Sequence, residues 1–219
     1  MTLILITLTR RGAVIAADRR TLTFNNATQK EAVLTEHANK VIASSNIAMV
    51  VKGDTKGSNQ TGEDVLGKWL RDSYNAKSDF EQQLTTLYND KFKNGELGEF
   101  IAIALDNDQY ATCSVSAKNG LEFQKLPSDK TTVLKYFGSG NLIASDLVNL
   151  IKPPLDGFNI QELVNFSTFI IQSTHAIMFY QKSRFPSVGS GVSVAVITKK
   201  GSKLIHGGEI HIDSAFPRK

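Results

Sequence analysis

Hydrophobic positions in the first fifty residues come in unbroken runs rather than in alternation with polar ones. Thr2-Leu3-Ile4-Leu5-Ile6 opens the chain, Ala13-Val14-Ile15-Ala16-Ala17 follows a turn at Arg10-Arg11-Gly12, and Ile47-Ala48-Met49-Val50-Val51 ends the stretch. These runs predict strands over residues 2–8, 13–18, 40–44 and 46–51. Strands that are apolar on both faces are covered on both faces, so this sheet is expected inside a layered structure. Residues 24–38 are polar and predict an exposed excursion between the strands.

The period then changes. Val65, Leu66, Trp69, Leu70 and Tyr74 recur at helical spacing, as do Phe80, Leu84, Leu87 and Tyr88. They predict a helical segment over 62–92 with a break near 77, its second part opened by Ser78 with Glu81 three residues on, the capping-box spacing. Strands are expected again at 100–105, 109–115 and 132–137, around turns at Asp106-Asn107-Asp108 and Asn119-Gly120, as an antiparallel meander. A second helical pair follows. Its members are 141–151, stopped by Pro153-Pro154, and a longer helix opened by Asn159 with Glu162 behind it, whose Ile160, Leu163, Val164, Ile170, Ile171, Ile177 and Met178 share one face. A final hairpin runs through 192–198, turns at Lys199-Lys200-Gly201 and returns through 203–205. Helix pairs set between runs of antiparallel strands predict an α+β fold: a four-layer αββα sandwich of two stacked sheets with helices on both outer faces, built as a single domain over 1–219.

Composition narrows the function classes. A chain of 219 residues buries roughly 70% of its unfolded surface and needs no staple. The lone Cys113 forms no internal disulfide and sits in an alternating strand, the setting of a small buried thiol. Lys and Arg total 25 against 21 Asp and Glu, and the net +4 is scattered, which argues against nucleic acid as a partner. No run reaches the roughly 18 apolar residues of a membrane span. No cation precedes the apolar start and Arg10-Arg11 follow it, the reverse of a secretion signal, so a cytoplasmic location is expected. Gly138-Ser139-Gly140 and Gly189-Ser190-Gly191 lack the spacing of nucleotide loops and of a nucleophile elbow, and no cofactor is expected. His206 and His211 stand five apart, which on a strand puts them on opposite faces, so no metal site is expected there.

Thr2 carries the chemistry. With Met1 removed, one residue would hold a hydroxyl nucleophile and a free α-amine able to take its proton. Such an amine has a pKa of about 7.7–8.0, so a useful fraction is unprotonated near neutral pH; a retained Met1 would turn it into an amide.

The order of elements, over roughly residues 2–205, resembles the β-type subunits of the proteasome and its bacterial two-ring relative, which are N-terminal-nucleophile (Ntn) hydrolases. Four places carry the likeness: Thr2 at the head of the first strand; Gly12-Ala13-Val14-Ile15-Ala16-Ala17-Asp18-Arg19-Arg20; Asn39-Lys40-Val41-Ile42 followed by Asn46 through Gly53; and Tyr136-Phe137-Gly138-Ser139-Gly140. The resemblance implies Thr2 as nucleophile, Lys40 as the cation beside it, Asp18 as the carboxylate holding Lys40, a backbone N–H of Gly53 in an oxyanion hole, and the Ser139 hydroxyl near the terminal amine. It also implies peptide or protein substrates and a homo-oligomeric ring, with a regulatory ATPase an open partner.

The pattern is departed from in two places. Where the family has an acidic residue ahead of Ser-Gly-Gly, this chain has Ser183-Arg184-Phe185-Pro186-Ser187-Val188-Gly189-Ser190-Gly191, with Ser187 or Ser190 as the hydroxyl. The strand threonine after Arg20 is Thr21 or Thr23. Two alternatives follow. The opening Met1-Thr2-Leu3 with Gly12-Ala13-Val14 and Asp18 also resembles connectases, proteasome homologues that pass the acyl group to another protein's amine, although these carry an added C-terminal region. The missing acidic residue fits a catalytically silent structural subunit.

Overall fold

The computed structural model describes residues 2–25, 30–35, 37–53, 61–94, 97–116, 120–127, 130–181 and 187–206. It is mixed α+β. One five-stranded antiparallel sheet holds β1 (Leu3–Thr9), β2 (Gly12–Asp18), β10 (Thr132–Gly138), β11 (Val192–Thr198) and β12 (Gly201–His206), in the order β10-β1-β2-β11-β12. A second holds β5 (Val41–Ser44), β6 (Ile47–Lys52), β7 (Glu99–Asp106), β8 (Gln109–Ser116) and β9 (Gly120–Lys125) in sequence order. β3 (Thr21–Asn25) and β4 (Lys30–Thr35) form a two-stranded ribbon between them.

Side-chain alternation on these strands divides the interior into three cores. On β1 and β2, Leu3, Leu5, Val14 and Ala16 meet the helices α3 (Asn141–Ile151) and α4 (Ile160–Tyr180). Ile4, Ile6, Ala13 and Ile15 point the other way and pack with Val41, Val50, Ile101 and Ile103 of the second sheet. The far face of that sheet, through Met49, Phe100 and Cys113, meets α1 (Gly62–Asp72) and α2 (Phe80–Leu87). Helices, sheet, sheet, helices is an arrangement compatible with a four-layer sandwich. Every residue of β1 and β2 is buried, as unbroken apolar runs require.

Several boundaries differ from the sequence expectation. The strands of the first fifty residues divide between two sheets, β1 and β2 in one and β5 and β6 in the other, because the ribbon carries the chain from β2 across to β5. The excursion is itself a β-hairpin in its described parts. β10 leaves the meander and pairs with β1, Leu3 opposite Gly138, while β9 supplies the meander's last strand. The second helix is capped by Asp79, whose carboxylate accepts from the Gln82 N–H at 2.6 Å, not by Ser78. The chain continues into a π-helical turn, Tyr88–Phe92. The capping box Asn159/Glu162 is present as expected.

Cys113 is fully buried, and its thiol is pushed upward by burial, then by the charge of Glu81. Native protein is therefore expected to resist iodoacetamide at neutral pH, with one equivalent incorporated only after denaturation, as read by intact mass. No helix among the described residues is long and apolar enough to cross a membrane.

A buried Thr–Lys–Asp cluster as candidate site

Register brings the functional candidates to one end of the molecule. β1 begins where β2 ends, with Ile4 opposite Ala17; β11 begins opposite that same end, with Val192 facing Asp18; and β10 ends beside Leu3. Thr2, Asp18, Ser139 and the 187–191 segment consequently meet at one end of the strands of the first sheet. Lys40 arrives from the start of β5 in the other sheet. Its approach is fixed by Arg19, whose guanidinium donates to the His37 carbonyl at 2.8 Å and the Ala38 carbonyl at 3.3 Å, while the Ala38 N–H returns to the Arg19 carbonyl at 3.0 Å.

Thr2, Asp18 and Lys40 are 5%, 0% and 4% exposed, so three polar residues are enclosed together. Lys40 Nζ donates to Thr2 Oγ1 at 2.9 Å, to Asp18 Oδ2 at 3.3 Å and to the Arg20 carbonyl. An ammonium has three N–H donors and no acceptor, so Thr2 Oγ1 accepts here and its own proton points away from Lys40. Asp18 is held as firmly. Its Oδ1 accepts from the Leu3 N–H at 2.7 Å, and its Oδ2 from the Arg20 and Gly189 N–H groups, each at 3.1 Å. The Leu3 amide directly follows Thr2, so one carboxylate fixes both the backbone behind the hydroxyl and the cation in front of it.

Burial pushes the Asp18 carboxyl above the ordinary carboxylate range, opposed first by Lys40 and then by the three backbone donors. Glu63, in the first turn of α1, is raised by burial too and is drawn down by Lys40, so a second carboxylate feels this ammonium. Burying a charge pair is costly unless its remaining polar valences are met, and here they are met by backbone groups.

Ser139 reaches Thr2 through its backbone. Its N–H donates to the Thr2 carbonyl at 3.1 Å. Gly138 has φ +82, and a Cβ there would lie 1.8 Å from the same carbonyl oxygen. Gly138→Ala combines left-handed strain with a backbone collision and is expected to cost roughly 2–6 kcal/mol, measured by urea denaturation. Gly53 follows β6, and continuing the pairing of Val41 with Val50 puts it at the Lys40 end of the second sheet, exposed and with φ +97. Of the two serines left open, Ser187 is 6% exposed and Ser190 lies outward. Thr21 is half-buried, while the Thr23 side chain lies outside the described residues.

Sequence reasoning missed the Gly189 N–H and the Arg20 carbonyl, backbone groups with no side-chain signature, and it passed over His175. Met1, residues 182–186 and His211 lie outside the described residues. The arrangement offers a hydroxyl accepting from a buried cation, the electrostatics that favour an alkoxide over an alcohol. No protein-family model matches the chain, and no curated protein matches it.

Proposed function

We propose that this chain is a proteasome-like N-terminal threonine hydrolase of Ntn type, cleaving amide bonds through an acyl-enzyme on Thr2 after removal of Met1. The observation that carries the reading is the buried Lys40 Nζ 2.9 Å from Thr2 Oγ1, with Asp18 holding that ammonium and the Leu3 N–H that follows Thr2. In this mechanism the α-amine of Thr2 takes the hydroxyl proton as Oγ1 attacks the substrate carbonyl. Lys40 stabilises the developing alkoxide and keeps the neighbouring amine unprotonated. The tetrahedral oxyanion is met by the Gly53 N–H, a kind of donor worth about 2.7–4 kcal/mol where one has been removed elsewhere. The protonated amine then releases the leaving amine, and water activated by the same amine hydrolyses the ester. The methyl group of Thr2 restricts χ1 and holds the hydroxyl on line.

The reading extends to a cytoplasmic homo-oligomer acting on peptide or protein substrates. In support, Leu142 and Leu150 on α3 and Phe169, Phe179 and Tyr180 on α4 are more than half exposed, apolar area that assembly would cover. A native mass several times the 24.0 kDa of one chain is the expected result.

Intact mass of the purified protein tests the premise: loss of Met1, followed by a stoichiometric adduct with a peptide epoxyketone localised to Thr2, supports it. Retained Met1 with no adduct would leave a silent structural subunit. Adding a peptide amine during turnover identifies the acyl acceptor, since ligated product in place of acid is the connectase outcome.

A further inference from the structure

His175 lies on α4, one turn before Phe179, and its Nδ1 stands 2.7 Å from the Val188 carbonyl oxygen. A carbonyl only accepts, so Nδ1 carries the proton and the ring donates. That carbonyl and the Gly189 N–H belong to one planar peptide unit, on opposite sides of it. The Gly189 N–H is the group that donates to Asp18 Oδ2 at 3.1 Å. A single rigid plane thus spans from the helix to the buried cluster, bonded at both edges. Val188 is fully buried in the core under α4, which fixes one flank of the plane. Gly189, on the other flank, has no side chain to restrict its φ and ψ. Rotation of the plane is the freedom left, and a rotated plane would withdraw the N–H from Asp18 and turn a carbonyl oxygen toward a carboxylate.

We propose that His175 is a positioning residue for Asp18: its Nδ1–H locks the Val188–Gly189 peptide so that the Gly189 N–H stays on the carboxylate, which in turn holds Lys40 against Thr2. The consequence for activity rests on the threonine-hydrolase reading; the lock itself does not.

The test compares His175→Ala, His175→Gln and His175→Asn. An Asn side-chain nitrogen sits one bond from Cγ, as Nδ1 does, whereas Gln places it one carbon farther out. Site-resolved hydrogen–deuterium exchange at the Gly189 amide is expected to speed up about tenfold or more in the Ala and Gln variants and to stay within about threefold of wild type in the Asn variant. The rate of epoxyketone attachment to Thr2 is expected to fall about tenfold and to be rescued in the same pattern. Unchanged Gly189 exchange in His175→Ala, or Asn behaving like Gln, overturns the proposal. If the Ala variant unfolds, the Gln and Asn pair, alike in polarity, decides alone. A wild-type protein that never labels sinks the hydrolase reading, and the exchange comparison still decides the lock.

Discussion

Thr2→Ala, with Met1 removed from both proteins, is expected to abolish epoxyketone labelling and to lower cleavage of a fluorogenic peptide amide by on the order of 10^4-fold or more. The magnitude follows from removing a nucleophile whose partners then have nothing to act on, which elsewhere costs about as much as deleting the whole catalytic unit. The loss would not come from unfolding. Thr2 Oγ1 accepts from Lys40 beside Asp18 and the Arg20 carbonyl, and its removal takes an acceptor from a buried ammonium, a cost of about 1–3 kcal/mol visible as a lower thermal midpoint in a folded protein. Thr2→Ser separates hydroxyl from methyl: it keeps nucleophile and amine, loses only the χ1 restriction, and is expected within about tenfold of wild type. Full labelling of Thr2→Ala would move the nucleophile elsewhere and end the reading.

How the cluster assembles explains what was legible in the chain. β1 and β2 announce themselves because both faces are buried, leaving no polar position between Leu3 and Leu8 except Thr7. Their shared end is set by local hairpin geometry at Arg10-Arg11, so Thr2 lies beside Asp18 through a short-range pairing, although Asp18 too entered the candidate set through the family likeness. Lys40 differs in range. It reaches Thr2 from another sheet, 38 residues on, and no periodicity encodes that approach; the ordered likeness of the motifs brought it into the candidate set. β10 shows the same limit, since 132–137 reads as a strand wherever it pairs, and its partner β1 is more than a hundred residues away. Asp79 displaced Ser78 as helix cap because both supply an oxygen and the sequence offers each a polar residue three positions later. The Gly189 donor had a faint trace in the glycines of 189–191, but a backbone N–H is not a residue type, and its aim depends on how α4 holds the segment.

Lys40→Met is expected to silence Thr2 and to destabilise the fold, with a deficit that grows as pH rises. The stem is nearly conserved in shape, so the change is chiefly the lost charge. Side-chain exposures of 5% for Lys40 and 0% for Asp18 mean that water cannot replace the ammonium, and a buried carboxylate stripped of its counter-ion costs about 3–5 kcal/mol. The sign with pH follows from Asp18. Its carboxyl already sits above 3.8 through burial, and Lys40 is the foremost influence pulling it back, so without Lys40 it rises further. A carboxyl whose folded pKa exceeds its unfolded one binds its proton more tightly when folded; the stability this confers is complete below the unfolded value and is lost as pH climbs through the folded one. Urea denaturation at pH 5 and pH 8 should therefore show the larger deficit at pH 8. Adding Asp18→Asn to Lys40→Met removes the stranded charge and should recover much of the stability without restoring labelling, which falls in both by about 10^3-fold or more for want of a cation beside the alkoxide. Equal deficits at the two pH values would mean that packing, not charge, is what Lys40 contributes, and the electrostatic role assigned to it at Thr2 would fail with that result.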